Sequence, residues 1–278
     1  DRIDNLKWGL DVTNMYTYWM RKMTFIANSG GVPNEMEQLN AGYREERYAE
    51  DPNFTRFSSW NGGNPVGQFE YLSGTPELSK NFDDYDYTLE NTMDAADQRH
   101  DVTTRVVISG TYTPNGFGSV ATRNGGGISF YYFKGNAIRV EAMRDMVNDR
   151  GQIPQELRDA GLEQAIENVL AWNPNAFNSP TVSFSEGGIN FYYQGVCYYT
   201  VLIRHFSNNM VPVLMGYGRY GVVRNNVYQL SINKIIGPGQ PVINPPGTDP
   251  DDEDTSWISA DVNIMRWYIR NQNVEELL

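Results

Sequence analysis

The sequence predicts a mainly β chain, a β-sandwich with helical insertions. Three observations carry this. Short runs alternate apolar and polar residues, Gly, Pro and Asn signals separate those runs, and one apolar stripe recurs at helical spacing. Residues 1–103 are polar and irregular and read as a piece of a domain or a long decorated insertion rather than a self-sufficient core. Within them Val12–Ile26 carries Tyr16, Trp19, Met20 and Met23 near helical spacing and predicts an amphipathic helix. Loops follow at Asn28–Pro33 and Trp60–Pro65.

From Thr104 the text changes. Arg105–Thr113 predicts a strand with Val106, Ile108 and Tyr112 on one face, ended by a turn at Pro114-Asn115-Gly116. Ile128–Phe133 and Ala137–Val140 predict a hairpin around Lys134-Gly135-Asn136. Pro154–Trp172 predicts a helix. Pro154 suits its first turn, Asn173-Pro174 stops it, and Leu162, Ala165, Ile166, Val169 and Leu170 form its apolar stripe. Ile189–Arg204 predicts a second hairpin, turning at Gln194-Gly195. Asn226–Ile235 predicts a strand with Tyr228, Leu230 and Ile232 opposite in phase to Gln229, Ser231 and Asn233.

The C-terminal segment is the most patterned part. Residues 237–254 combine proline, glycine and a dense acidic run, a composition that buries too little apolar surface to offset its ordering entropy. It reads as a loose tether. Beyond it Ile258, Ala260, Val262 and Ile264 alternate with polar residues, and then the phase flips to Met265, Trp267 and Ile269. A one-residue flip moves the buried set to the other face and predicts a bulge or break near Ile264–Met265. Two readings fit this pattern: a bulged last strand that closes its own domain, or a strand that joins another chain's sheet.

Composition and motifs narrow the chemistry. A net charge of −12 argues against nucleic acid as a partner, and no apolar run approaches a transmembrane length. The start at Asp1 reads as that of a processed chain. Cys197 stands alone and mid-strand, and reads as a small buried apolar residue. His205 ends an apolar strand and reads as structural; it and His100 have no clustered ligands beside them. Asn124-Gly-Gly-Gly127 lacks the Lys-Ser/Thr of a phosphate loop and reads as a hairpin tip. Asp83-Asp84-Tyr85-Asp86 lacks the Gly and distal Glu of a calcium loop and reads as solvated, as does Asp249–Asp254. No metal, cofactor or catalytic residue is expected.

A resemblance adds to this. Gly218–Gly239, with its Gly218-Arg-Tyr-Gly and Tyr228-Gln-Leu-Ser-Ile-Asn-Lys-Ile-Ile236, resembles the C-terminal signature of the Bacteroidales fimbrillins, of the Mfa1 type (type V pilins). The Pro/acidic linker and the terminal Ser256-Trp-Ile-Ser-Ala-Asp-Val-Asn-Ile264 with Trp267 and Gln272–Leu277 extend the likeness. Tyr87–Thr92 and Thr104–Ile108 resemble the passage into that family's second domain.

The resemblance implies a two-domain pilin of transthyretin-like sandwiches. Residues 1–103 would be the remainder of an incomplete N-terminal domain and a connecting region, and 104–236 the C-terminal sandwich. Residues 237–254 would be the linker, and 255–278 a donor strand. It implies a non-enzymatic fimbrial subunit that polymerises head to tail by β-strand addition. Ile258, Val262 and Ile264, then Met265, Trp267 and Ile269, would fill pockets of a neighbour. Implied partners are other copies, related fimbrial subunits, and host glycans, host proteins or other bacteria. The implied location is a surface fimbrium at a Gram-negative outer membrane, reached as a lipoprotein.

Two alternatives stand beside it. A glycan-binding tip adhesin would display Tyr131, Tyr132, Tyr192, Tyr193, Tyr198 and Tyr199 on an open face. A surface glycoside hydrolase would need two facing carboxylates, for which the sequence nominates no pair.

Overall fold

The computed structural model describes residues 1–15, 68–93, 97–118, 127–205, 219–251 and 258–266; in the last stretch it describes the backbone, and the side chain of Val262 alone. The chain is mainly β, with a short helical layer. In order, the elements are β1 (Arg2–Asp11), β2 (Thr13–Asn14), β3 (Phe69–Glu70), β4 (Arg105–Thr113), β5 (Phe130–Phe133) and β6 (Asn136–Arg139). Helices α1 (Val140–Asn148), α2 (Gln155–Asp159) and α3 (Leu162–Trp172) follow. Then come β7 (Phe184–Glu186), β8 (Ile189–Tyr192), β9 (Val196–Leu202), β10 (Asn226–Ile235) and β11 (Ile258–Arg266).

One antiparallel sheet has the order β1-β4-β9 and a second the order β6-β5-β8-β7, while β2–β3 and β10–β11 form two-stranded pairs. The alternation of side chains along β5 and β8 sets the layers. Phe130 and Tyr192 face the first sheet and stack on each other at 4.7 Å, within the cluster that holds Val106, Ile108, Tyr112, Cys197 and Tyr199. Their neighbours Tyr131 and Phe191 point the other way and pack on Met143, Leu162, Ile166 and Val169 of the helices. The result is a β-sandwich whose second sheet is backed by helices.

Several expectations need correction. Val12–Ile26 does not begin as a helix: Val12 has φ 54° and Thr13–Asn14 pairs with Phe69–Glu70; residues 16–26 lie outside the described residues. β1, in the stretch that reads as irregular, runs ten residues along β4. Its register shifts between Asp4 and Lys7, with Asn5 at φ 54°, so its apolar side chains change phase midway. The helix expected over 154–172 is two helices, α2 and α3, separated at Gly161 with φ 90°. The stripe Leu162, Ala165, Ile166 and Val169 is buried as expected. Helix α1 follows β6 directly; its N-cap, Arg139, makes no side-chain capping bond, so the sequence carries no start signal.

The second expected hairpin is not one. β8 pairs with β5 and β7, whereas β9 pairs with β4, so Gln194-Gly195 carries the chain from one sheet to the other. Gln194 has φ 53° and Gly195 φ 69°. A Cβ on Gly195 would stand 2.6 Å from the Tyr112 carbonyl oxygen, so a side chain is excluded by contact as well as by backbone conformation. The other face of β4 is also covered: Val107 packs with Tyr198 and Ile243.

A candidate assembly surface: terminal strand, strap and apolar groove

β11 pairs antiparallel with β10 of its own chain, from Ile258 opposite Ile235 to Arg266 opposite Asn226. Of the expected donor residues, Ile258, Val262, Ile264 and Met265 stand in this ladder opposite Ile235, Leu230, Tyr228 and Val227; Trp267 and Ile269 lie outside the described residues. The ladder crosses Ile264–Met265 with no register shift. The irregularity lies instead on β10, where Asn233 is the extra residue between Ile232 and Lys234. A phase flip on one strand is therefore accommodated without a bulge on that strand in the described part.

β10 meets the core through Tyr228, Leu230, Ile232 and Ile235, all half-buried. The Tyr228 hydroxyl accepts from the Val223 amide at 2.8 Å and is hydrogen-bonded to His205 Nδ1 at 2.7 Å. Burial pushes Tyr228 up to about 12 and holds His205 below its usual value. His205 is thus a structural group, as expected.

Residues 237–251 are not a loose tether but a docked strap. Tyr192 Oη donates to the Gly239 carbonyl at 2.7 Å and Tyr199 Oη to the Gly237 carbonyl at 2.9 Å. Gln240 exchanges two backbone bonds with Tyr198 (2.8 and 2.9 Å), and Ile243 two with Gly74 (2.8 and 2.7 Å). Ile243 is buried on Val107 and Tyr198. Further along, the His100 amide donates to Asp249 O and the Asp251 amide to Gln98 O. Asp251, expected to be solvated, is buried, and its carboxylate accepts from Thr103 Oγ1 at 2.5 Å.

Composition alone missed the strap because the segment borrows its apolar burial from the sheet it crosses. Its prolines also leave less entropy to lose on docking. Gly239, at φ 60°, lies close enough to the Tyr198 carbonyl that a Cβ would collide. No local pattern marks Thr103 or Gln98; Val242-Ile243 inside the polar linker is the one signal that was present.

Between the first sheet and β10 lies an apolar groove of about 1150 Å³, walled by Leu10, Val106, Ile108 and Val201 on one side and Leu230 and Ile232 on the other. One end is held by an ion pair: Arg224 Nε donates to Glu90 at 2.6 Å, and Glu90 is buried. Residues 82–90 form its mouth.

The remaining candidates are structural. Burial pushes the Cys197 thiol up to about 12, and the thiol donates to Gly110 O at 3.4 Å. Asp84 accepts from the Asn81 amide, and Asp86 lies 3.7 Å from Lys80. Among the described residues no three His, Cys, Asp or Glu side chains are grouped to hold a metal ion, and no helix is long and apolar enough to cross a membrane. Tyr131, Tyr192, Tyr198 and Tyr199 are buried, so the tyrosine pairs do not make an open binding face.

Residues 190–273 match the family model of the major fimbrial subunit protein type IV, fimbrillin, C-terminal. That span runs from β8 through β9, β10, the strap and β11. The match covers less than a third of the chain, and this part is similar to the C-terminal region of fimbrillins, a family of structural pilus subunits. No curated protein matches the chain.

Proposed function

We propose that the chain is a structural subunit of a bacterial surface fimbrium and that copies join head to tail through the C-terminal segment. One observation carries this: among the described residues β11 has a single hydrogen-bonded neighbour, β10, and reaches it through a strap rather than a tight turn. A two-stranded ribbon has little stability of its own. Exchanging β11 for the same strand of another copy keeps every ladder bond, so the swap costs little. Donor and acceptor surfaces differ, so the contact is head to tail, and a head-to-tail contact whose rotation does not close grows a filament.

In this reading Ile258, Val262, Ile264, Met265, Trp267 and Ile269 are the donor side chains. Residues 104–236 form the sandwich domain, with β1 completing its sheet. Residues 1–103 otherwise belong to an N-terminal domain, 237–254 are the connection and 255–278 the donor. Partners are other copies and related subunits, with adhesion to host glycans, host proteins or other bacteria as the filament's use. The wider setting is a Bacteroidales cell surface reached by a lipoprotein route. No catalytic step is assigned.

The test is assembly with and without residues 255–278, followed by electron microscopy. Filaments from the intact chain and a folded monomer from the shortened one support the reading. If the shortened chain unfolds, β11 serves to close its own fold and the reading fails.

A further inference from the structure

A second pocket, of about 420 Å³, opens where the turn after β4, the β5–β6 turn and the start of the strap meet. That is the size of a small-molecule site. Tyr112 lines it from β4 and is only 5% exposed. Among the described residues its hydroxyl has no hydrogen-bond partner, whereas its core neighbours Tyr192 and Tyr199 each donate to a strap carbonyl. Burial pushes the Tyr112 hydroxyl up to about 12, so it keeps its proton and can donate. A nearly buried hydroxyl without a partner costs stability until something supplies one, and this one borders the pocket.

The other lining groups are aromatic rings and short polar side chains. Phe117 and Tyr132 are half-buried against the core and offer the rest of their surface to the pocket. The Asn115 side chain makes no hydrogen bond among the described residues. Asn136 Nδ2 donates to the carbonyls of Phe133 and Lys134 at 3.4 and 3.2 Å, which leaves its Oδ1 to accept. Asp1 accepts from the Asn115 amide at 2.9 Å and adds a carboxylate, which disfavours an anionic ligand. The Arg139 guanidinium would favour one, but it is held on Gly116 O at 2.9 Å and over the Phe117 ring at 4.4 Å, and it does not line the pocket. Ring surface suits an apolar C–H face, and amide and hydroxyl groups suit the alcohol groups around it.

We propose that this pocket binds one neutral pyranose unit of a glycan, its C–H face on Tyr132 and its hydroxyl groups on Tyr112 Oη, Asn115 and Asn136. Every residue involved lies in one copy of the chain, so binding does not depend on assembly.

The test is saturation-transfer NMR on the full chain with the methyl glycosides of glucose, galactose, mannose and N-acetylglucosamine, one at a time. Transfer to the ring C–H protons of at least one is expected. Tyr132→Ala should abolish it, and Tyr112→Phe should weaken binding about fivefold, the worth of one net hydrogen bond. Thermal unfolding of Tyr112→Phe should match the parent, because the lost hydroxyl has no partner in the chain; a lower midpoint would mean that the fold already uses it, and overturns the assignment. No transfer from any of the four glycosides, or binding indifferent to either substitution, also overturns it. Methyl glucuronide binding as tightly as the glucoside would overturn the neutral class.

If Tyr132→Ala fails to fold, Asn115→Ala on the exposed turn replaces it. It should weaken the same glycoside by a similar few-fold factor, and unchanged binding overturns the site.

Discussion

The hydroxyl of Thr103 donates to the carboxylate of Asp251 at 2.5 Å, joining residues 148 apart in sequence and fixing the end of the strap to the approach of β4. Both residues are buried. Thr103→Val keeps the shape and removes the donor. Leaving a buried carboxylate short of a partner costs about 1–3 kcal/mol. Denaturant unfolding should record that loss, and limited proteolysis should cut beyond residue 251 faster than in the parent chain. An unchanged cleavage pattern would mean that the strap end is held elsewhere.

Ile243 is the strap's apolar peg, buried on Val107 and Tyr198. Ile243→Ala should cost about 2–4 kcal/mol if the strap unfolds with the sandwich, because the removed methyl groups leave a void. A loss below about 0.5 kcal/mol, the range of surface substitutions, would show that strap and sandwich open independently.

His205 gives a pH dependence with a defined sign. Burial holds its folded value below the unfolded 6.5. Between those two values the unfolded chain binds the extra proton, so stability falls as pH drops below about 6.5 and is level above it. His205→Gln should flatten the part of the stability–pH curve that lies between the depressed value and 6.5. A slope that survives the substitution assigns the effect to another group.

Gly195→Ala tests the turn that sends the chain between sheets. The backbone there has φ 69° and the new methyl would meet the Tyr112 carbonyl oxygen. A loss of about 2–4 kcal/mol is expected, larger than the roughly 1 kcal/mol for a left-handed residue with open space around it. Gly135→Ala, at φ 88° with nothing near its Cβ, is the matched control and should cost only the smaller amount.

Where one period governs a segment, the sequence reveals the element from end to end. Asn226–Ile235 is the strand its alternation predicts, and Leu162–Val169 buries the stripe its spacing predicts. β1 escapes the same test because the shift at Asn5 moves its apolar set from Ile3 to Leu6, Trp8 and Leu10 out of phase. Gln194-Gly195 carries a turn signal that is the same whether the next strand pairs with the last or leaves for another sheet; only the partners of β8 and β9 decide. The β10–β11 pairing was among the two arrangements the tail's pattern allows. The strap was hidden because its anchors are carbonyls, tyrosine hydroxyls and one threonine far away in sequence. Hydrogen bonds of that kind leave no periodic trace.

Docking residues 237–251 changes how much slack a joint between subunits would have. A free linker of the full 237–254 span could stretch about 60 Å at the extended limit. With Asp251 fixed at Thr103, seven steps remain to Ile258, about 25 Å at most. A strand handed to a neighbour on so short a leash obliges the two bodies to sit nearly in contact. A filament built this way would bend little at its joints and would resist stretching until the anchor at Thr103 gives.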